Sequence, residues 1–340
     1  MSESAAAQRL ESASDYCAAI RAGDRRAIAR AITLIESTRA DHQRVGQEIL
    51  GALVSHAGGA VRIGITGPPG VGKSSFIEAF GLHVIGTGKR VAVLAVDPSS
   101  PVSGGSILGD KTRMERLALE ERAFIRPSPS GGALGGVAHR TREVMLLCEA
   151  AGFDVVVIET VGIGQSEIAV RSMVDFFAVL LQPAAGDGLQ GIKRGVLELA
   201  DALVVNKCDG ELRAAALRTK HEHEQALSLL RPAASGWKPL ALAASALTGE
   251  GVGELWRIAL QQRELLAKSG ALEQRRRSQA REWMWSLVEE GLQRALRENP
   301  EVAQAIPRLE ADVEEQRLTP AAAARALLAG FLRRSDGSVP

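Results

Sequence analysis

Residues 67–74 read Gly67-Pro68-Pro69-Gly70-Val71-Gly72-Lys73-Ser74, which matches the whole phosphate-binding pattern G-x-x-x-x-G-K-[ST]. The apolar run Val61–Ile65 enters this stretch, and a helical-looking segment that starts at Ser75 leaves it. In such a strand-to-helix loop, backbone N–H groups and the helix N-terminus surround phosphate oxygens. We therefore expect residues 67–75 to bind a nucleotide, with Lys73 stabilising charge on the β- and γ-phosphates and Ser74 holding Mg2+.

Short aliphatic runs alternate with helical stretches from Val61 to about Leu260. The runs are Val91–Val96, Val155–Ile158, Ala178–Leu181, Ala202–Val205 and Leu240–Ala243. This alternation predicts an α/β fold of the P-loop NTPase class, in which helices flank a mostly parallel central sheet. Several runs end in polar clusters, and ligands of open α/β sheets bind at the carboxyl ends of the strands. We expect this edge of the sheet to be the active one.

Helical sequence flanks this region on both sides. Asp24 is a residue type that caps helix N-termini. Farther on, Asn299-Pro300 interrupts a segment with apolar residues at helical spacing, and Thr319-Pro320 begins the last predicted helix. The pattern predicts helical extensions at both ends of the P-loop domain. The predicted parts are an N-terminal helical extension at 1–58, the P-loop domain at 59–261 and a C-terminal helical arm at 262–340.

The C-terminal arm carries two features whose roles the sequence leaves open. Trp283 and Trp285 either pack onto the nucleotide core or anchor a subunit interface, where aromatic residues are enriched. The run Arg275-Arg276-Arg277 could contact an acidic partner. Because a run of charges on a helix is usually a solvated face, we expect these arginines to face water.

Composition narrows the class of protein. The chain is 46% hydrophobic, and its 41 Lys and Arg residues nearly balance its 40 Asp and Glu residues, so we expect neither a nucleic acid nor a membrane as partner. Cys17, Cys148 and Cys208 lack the spacing of a metal site, which indicates reduced thiols in a cytoplasmic protein. We also find neither a signal peptide nor an apolar run long enough to cross a membrane.

A second motif indicates which base is bound. The run Ala202–Val205 ends in Asn206-Lys207-Cys208-Asp209, an N-K-x-D tetrad at a strand-to-loop junction. The Asp209 carboxylate can accept two hydrogen bonds from the ring N–H and the exocyclic amine of guanine, a donor pair that adenine lacks, and the stem of Lys207 can lie along the base. Farther on, Ser245-Ala246-Leu247 matches the loop whose backbone N–H meets the guanine oxygen. These residues predict a guanine site.

A third motif predicts a response to hydrolysis. Glu159-Thr160-Val161-Gly162 follows the buried run that ends at Ile158. Glu159 can hold Mg2+ directly or through water, and the Gly162 N–H can meet a γ-phosphate oxygen. Asp97 and Asp110 are the other carboxylates that we expect at the metal. We assign catalytic roles to Lys73 and Glu159.

His221 and His223 are the other metal-ligand types in close succession. On a helix this spacing directs the two imidazoles to different faces, so we expect a solvated surface and no metal centre there.

With these residues in hand, the chain resembles the MeaB/ArgK family of P-loop GTPases over roughly residues 20–330. The most specific matching stretches are Val96–Ser100, Gly104–Met114, Phe124–Pro129 and Glu159–Glu167. Residues Gly186–Lys193 also resemble the additional switch segment of that family, and Asp187, Gln190 and Lys193 are the candidates for coupling to a partner. Cys208 at the variable third place of the tetrad and Gly188, where an acidic residue is common, are small departures.

The resemblance implies a magnesium-dependent GTPase that converts GTP to GDP and is a chaperone of an adenosylcobalamin-dependent acyl-CoA mutase, such as methylmalonyl-CoA mutase. In that family, GTP binding and hydrolysis gate cofactor loading and help to expel damaged cofactor. The implied partners are the mutase, a cobalamin adenosyltransferase and a second copy of the chain, because members form homodimers through C-terminal helices. This raises the expectation that Trp283 and Trp285 serve an interface.

Several alternatives stay open at this stage. Gln165, Gln190 and Lys193 are the candidates for assisting hydrolysis, and none can be assigned. The chain could instead be a kinase acting on a periplasmic-binding-protein transport system, although no base that would activate an acceptor is recognisable. It could also be a metal-insertion GTPase, which would require Cys and His ligands that the sequence does not display.

Overall fold

The structure is a computed structural model that describes residues 12–96, 114–126, 134–160, 166–183, 198–228 and 236–332. Some residues singled out above fall outside these ranges, and their predicted roles stay predictions. They are Asp97, Asp110, Gly162, Gln165, Asp187, Gln190 and Lys193.

A seven-stranded parallel sheet, counted over the described residues, forms the centre of the fold. Its strands are β1 Val61–Thr66, β2 Val91–Val96, β3 Ala123–Arg126, β4 Val155–Thr160, β5 Phe176–Leu181, β6 Ala202–Val205 and β7 Leu240–Ala243. The order across the sheet is β3-β2-β4-β1-β5-β6-β7. Strands β1, β2, β4, β5 and β6 are buried along their whole length, as expected of a parallel sheet covered on both faces. The predicted α/β architecture is confirmed, although the short strand β3 was not foreseen.

Helices cover both faces of this sheet. All the helices of the described residues, including those that do not cover the sheet, are α1 Ala13–Arg21, α2 Arg25–Glu36, α3 Ala40–Leu53, α4 Lys73–Gly86, α5 Glu115–Ala118, α6 Leu134–Ala150, α7 Ser166–Arg171, α8 Arg213–Ser228, α9 Val252–Lys268, α10 Ala271–Glu298, α11 Pro300–Glu314 and α12 Pro320–Leu332. Helices α4 and α9 pack on one face of the sheet and share a core with it. In this core the rings of Phe80 and Trp256 form a T-shaped pair with their centroids 6.2 Å apart. Helices α6, α7 and α8 contribute to the core on the other face.

The N-terminal helices join the second of these cores. Asp24 begins α2 as predicted, because its carboxylate accepts hydrogen bonds from the backbone N–H groups of Arg26 and Ala27 at 2.7 and 3.2 Å. Ile28 and Ile32 of the same helix are fully buried. The N-terminal helical extension is therefore part of the core that supports the sheet.

The chain divides into two compact units, Met1–Gln279 and Ala280–Pro340. In the second unit, the side-chain oxygen Oδ1 of Asn299 accepts hydrogen bonds from the N–H groups of Glu301 and Val302, so a new helix begins at Pro300 as the sequence indicates. None of the helices in the described ranges is long and apolar enough to cross a membrane. The three-part division with boundaries near residues 58 and 261 stays a prediction.

A buried ionic network lies at the amino-terminal edge of the sheet. Asp175, which precedes β5 and is 1% exposed, accepts hydrogen bonds from Nε of Arg276 at 2.8 Å and from the backbone N–H of Arg62 at 3.2 Å. The Arg62 guanidinium in turn binds the buried Glu149 carboxylate at 2.7 and 2.9 Å. These pairs fix the beginning of α10 to the sheet.

The expectation that the arginine run faces water is therefore wrong for two of its three members. Arg276 binds Asp175, and Arg275 donates to the backbone carbonyl of the same residue. Arg277 is exposed and pairs with Glu273 one turn earlier on the helix. The difference arises because a distant buried carboxylate faces one side of α10, and no local sequence pattern can reveal it.

Candidate nucleotide site

The phosphate-binding loop connects β1 to α4 at the carboxyl edge of the sheet. Gly67 and Gly72 have φ angles of +155° and +89°, a region that side chains other than glycine rarely adopt. A Cβ atom at Gly67 would lie 2.7 Å from the carbonyl oxygen of Leu180, and one at Gly72 would lie 2.9 Å from Nδ2 of Asn206. Both glycines are thus required, because the loop packs closely against β5 and the end of β6.

Lys73 is the first residue of α4 and is held inside this loop. It is only 9% exposed, and its Nζ donates hydrogen bonds to the carbonyl oxygens of Gly67 at 2.7 Å and Pro68 at 3.2 Å. The ammonium group is therefore positioned at the mouth of the loop, next to the N-terminus of α4. Both features place positive potential where a phosphate anion would bind.

The predicted metal ligands Ser74 and Glu159 meet at this position. Ser74 Oγ donates to Oε1 of Glu159 at 3.3 Å, and Glu159 is 5% exposed at the end of β4. Beside them, the buried hydroxyls of Thr66 and Thr160 are 2.6 Å apart and join the ends of β1 and β4. The spacing between the loop and the acid is therefore fixed from inside the sheet.

Asn206 connects the phosphate loop with the loop Ser245–Leu247. Its Nδ2 donates to the carbonyl oxygen of Val71 at 2.8 Å, and its Oδ1 accepts from the N–H of Ala246 at 3.2 Å. Asn206 is 1% exposed; its bond to Val71 is buried and its bond from Ala246 is partly buried. This side chain sets the distance between the two loops.

Lys207 has a strained backbone. Its φ angle is +60°, a conformation that costs about 1–2 kcal/mol for a residue other than glycine. Its Nζ donates to the carbonyl oxygen of Gly70 at 2.7 Å, so the side chain crosses above the phosphate loop. Strain at such a position is characteristic of binding sites.

Asp209 is oriented by the loop Ser245–Leu247. Its Oδ2 accepts a short hydrogen bond from the Ser245 hydroxyl, while the Cys208 N–H donates to the carbonyl oxygen of Ala244 at 3.0 Å. Burial raises the pKa of the Cys208 thiol, which keeps this third member of the tetrad neutral. The two loops therefore form one rigid wall.

An exposed ion pair reinforces this wall. The Arg213 guanidinium binds both carboxylate oxygens of Glu250 at 2.6 and 2.8 Å, and the Glu250 backbone carbonyl accepts from the Ser245 N–H at 2.9 Å. The hydrogen bond from Arg213 lowers the pKa of Glu250, so the pair stays ionised at neutral pH.

The last glycine of the phosphate loop, α4 and the two base loops border a cavity of about 440 Å3, a volume within the usual range of small-molecule sites. Seven of its lining residues belong to the predicted site: Gly72, Ser75, Asn206, Lys207, Asp209, Ala246 and Leu247. The remaining lining residues are Glu78, Ala79, Arg116 and Leu212. Glu78 could have been found, because it lies three residues after Ser75 on the same helix face. Nothing in the sequence pattern identifies Arg116.

The structure thus brings the described part of the predicted site together at one edge of the sheet. Its members are Gly67, Pro68, Pro69, Gly70, Val71, Gly72, Lys73, Ser74, Ser75, Glu159, Asn206, Lys207, Asp209, Ser245, Ala246 and Leu247. His221 is exposed on α8, where its Nε2 lies 2.9 Å from Nε2 of Gln225. Within the described ranges, no group of three or more His, Cys, Asp or Glu side chains is arranged to hold a metal ion.

Comparison with known proteins identifies the family. The family model described as methylmalonyl Co-A mutase-associated GTPase MeaB matches residues 28–301. The chain belongs to the MeaB family. It is a P-loop GTPase, so GTP is its substrate and GDP its product. The resemblance found in the sequence is thereby confirmed.

Individual members of the family agree with this assignment. GTPase ArgK of Escherichia coli is 50% identical over 271 residues, which cover 80% of this chain and 82% of that protein. The mitochondrial methylmalonic aciduria type A homolog of Mus musculus is 44% identical over 322 residues, covering 92% and 78% of the two chains. A crystal structure of a LAO/AO transport system kinase is 39% identical, covers 94% of this chain and 97% of its own, and superimposes with a TM-score of 0.75.

Proposed function

We propose that this GTPase is magnesium-dependent and is a chaperone of an adenosylcobalamin-dependent acyl-CoA mutase, whose cofactor loading and reactivation it gates. Two observations carry the nucleotide part: the phosphate loop and the base loops border one cavity, and the acid at the end of β4 contacts Ser74 of the phosphate loop. The mutase part is supported by the family description, which names a mutase-associated GTPase.

Lys73 is the residue to which we assign charge stabilisation on the transferred phosphate. Its Nζ is held by two loop carbonyls, so the cation is in position before the substrate arrives. A fixed cation at this point stabilises charge that develops on the β- and γ-phosphate oxygens. Little reorganisation is then needed during the reaction.

The donor set at Ser74 and Glu159 fits a magnesium ion. A hydroxyl and a buried carboxylate oxygen lie 3.3 Å apart beside the phosphate loop, and Mg2+ prefers oxygen ligands shared with substrate phosphates. When bound, the ion would neutralise charge on the phosphate oxygens. We propose Ser74 and Glu159 as its ligands, directly or through water, together with Asp97 and Asp110, which lie outside the described residues.

Asp209 is the residue to which we assign recognition of guanine. The bond from Ser245 fixes one carboxylate oxygen and leaves the group oriented toward the cavity that it lines. Leu212 and Leu247, which are 44% and 86% exposed, also line this cavity. A bound purine ring would cover apolar surface that is otherwise left in water.

Substitution of Asp209 by asparagine tests the guanine assignment. The amide presents a donor where guanine also donates, so GTP affinity should fall by about 100-fold or more, as expected when buried polar groups are left unpaired. Xanthosine triphosphate, which offers an acceptor at that position, should gain affinity. Equal affinities of wild type and variant for GTP, measured by calorimetry, would refute the assignment.

Several features support a partner-dependent role. In the second unit, Met284, Trp285 and Leu292 of α10 are 50%, 57% and 57% exposed, and we propose that this apolar face is covered in a homodimer. We propose a cytoplasmic location.

The same proposal includes a cobalamin adenosyltransferase as a further partner. We propose that Asp187, Gln190 and Lys193, which lie outside the described ranges, couple the nucleotide state to the partner.

Co-elution with candidate mutases tests the chaperone role. Purified chain is mixed with methylmalonyl-, isobutyryl- or hydroxyisobutyryl-CoA mutase in the presence of GDP or a non-hydrolysable GTP analogue. We expect one mutase to co-elute in a nucleotide-dependent manner and to raise the GTPase rate. The Lys73→Ala variant is the control, because it should fail to hydrolyse GTP with or without the mutase. If none of the three mutases co-elutes with the chain, the proposed chaperone role is refuted.

A kinase acting on a transport protein is a second candidate, because a relative of known structure is named LAO/AO transport system kinase. The discriminating measurement uses GTP labelled at the γ-phosphate together with a periplasmic binding protein. Label that moves to the acceptor without release of free phosphate would favour the kinase. Release of free phosphate with an unlabelled acceptor would favour the GTPase chaperone.

A further inference from the structure

Arg116 lines the cavity, and its side chain has no partner within the described part of the chain. The other charged groups in the lining are engaged: Lys207 donates to Gly70, Asp209 accepts from Ser245, and Glu78 accepts from backbone N–H groups. Among the residues that the structure describes, none forms a hydrogen bond or ion pair with the Arg116 guanidinium, although the backbone N–H of Arg116 is bound by Glu78. An unengaged cation that borders a nucleotide cavity can bind a phosphate oxygen.

The backbone of Arg116 is fixed to the helix that follows the phosphate loop. Oε1 of Glu78, on α4, accepts from the N–H groups of Arg116 at 2.8 Å and Leu117 at 3.4 Å. The contact is close, because a Cβ atom at Gly81 would lie 2.7 Å from the Leu117 side chain. Arg116 therefore enters the cavity from the side of α4, away from the loop Ser245–Leu247.

This side of the cavity is the phosphate side. Its wall includes Ser75 and Glu78, and Ser75 directly follows the residues that serve the β- and γ-phosphates and the metal. The base side is formed by Asp209 and Ala246. Because the Arg116 backbone is bound to Glu78, we expect its guanidinium to lie closer to the α-phosphate of the ligand than to the base.

We infer that Arg116 is a further nucleotide-binding residue, whose guanidinium binds the α-phosphate, and that Glu78 is the positioning residue that holds it. The inference rests on the proposed guanine nucleotide site. A planar guanidinium with several donors matches the oxygens of a phosphate, and such charge-assisted bonds are stronger than neutral ones. Because the group is exposed, its contribution is smaller than that of a buried cation.

Nucleotide affinity of three variants tests the role of Arg116. We expect Arg116→Gln to lower the affinity for GDP and for GMP by the same factor of about 10, since both nucleotides carry the α-phosphate. Loss of one charge-assisted hydrogen bond typically lowers affinity by about this factor. Arg116→Lys, which keeps the charge, should recover part of the loss. Arg122→Gln is the matched control, because Arg122 is exposed on the neighbouring turn and outside the cavity; it should bind both nucleotides like wild type.

The positioning role of Glu78 has a separate readout. Glu78→Ala removes the acceptor of the Arg116 N–H and should lower the affinity for both nucleotides. Glu78→Gln keeps an acceptor oxygen and should bind both nucleotides with nearly wild-type affinity. If Glu78 acts through Arg116, the double variant Glu78→Ala/Arg116→Gln should bind no more weakly than Arg116→Gln alone. Additive losses in the double variant would overturn this role.

The outcomes separate this inference from the function on which it rests. Wild-type GDP affinity in Arg116→Gln, with Asp209→Asn still impaired, would overturn the Arg116 assignment and leave the guanine site intact. A loss for GDP but none for GMP would also overturn it, since the contact would then be to the β-phosphate. A loss that Arg116→Lys does not relieve at all would indicate stacking on the base and would likewise refute phosphate binding. Failure of the wild-type chain to bind GDP would refute the proposed function itself.

Discussion

Substitution of Asn206 by alanine should lower both the stability of the fold and its affinity for nucleotide. The side chain is 1% exposed and makes two hydrogen bonds, one to the carbonyl of Val71 and one from the N–H of Ala246. Alanine leaves both partners unpaired, the Val71 carbonyl in the core and the Ala246 N–H partly buried, at about 1–3 kcal/mol each. The expected loss in free energy of unfolding is therefore about 2–6 kcal/mol, and we expect a value near the middle of that range.

Urea unfolding with and without GDP measures both effects in one assay. GDP at 100 times its Kd stabilises the native state by about 2.7 kcal/mol. If the loss of Asn206 displaces the base loop and weakens GDP tenfold, the same GDP concentration adds only about 1.4 kcal/mol. The variant should therefore show a lower midpoint and a smaller shift on adding GDP.

Gln182→Ala is the matched control for this prediction. Gln182 also donates from a side-chain amide to the phosphate loop, at 3.4 Å from the carbonyl oxygen of Pro69, but its bond is exposed to solvent. Water replaces such a bond at little cost, so we expect a change within about 0.5 kcal/mol. The reasoning is refuted if Asn206→Ala unfolds at the wild-type urea concentration, or if the two variants are destabilised equally.

Two further predictions concern the same protein unit. Gly251→Ala should destabilise the fold by well over 2 kcal/mol, because Gly251 has a φ of +74° and an added Cβ would lie 2.2 Å from the carbonyl oxygen of Ala243. Gly249→Ala in the same loop, where φ is +80° but no atom lies within 4 Å, should cost only about 1–2 kcal/mol, and equal losses in urea unfolding would contradict the clash. Asp175→Asn should cost about 3–5 kcal/mol, since it leaves the Arg276 guanidinium without its charge partner; an unchanged thermal midpoint would show that the pair contributes nothing.

The sequence allowed the nucleotide edge of the fold to be predicted because its signals are local. The phosphate loop, the tetrad that ends in Asp209 and the aliphatic runs each lie within about ten consecutive residues. Strand β3 was not predicted because it ends in Arg126 and only its first two residues are buried, so it lacks the purely aliphatic run that marks the equally short β6 and β7. The predicted boundaries at residues 58 and 261 and the roles of the residues outside the described ranges stay predictions.

The opposite edge of the sheet could not be predicted, since its interactions join distant parts of the chain. Arg62 and Glu149 are 87 positions apart, and Asp175 and Arg276 are 101 positions apart. Each of these residues is an ordinary charged side chain in its local context. Arg116 escaped prediction for the same reason, because its place beside the cavity depends on a contact with Glu78 that is 38 positions away.

The backbone of Lys207 makes fold stability and ligand affinity compete at a single position. Its φ of +60° suits asparagine or glycine better than lysine, whereas the contact with the Gly70 carbonyl requires the long cationic side chain. An asparagine there would relieve the backbone strain but would lack the ammonium group. Variants selected in the laboratory for heat resistance alone should therefore acquire asparagine at this position, whereas variants selected for GTP-dependent growth should retain lysine.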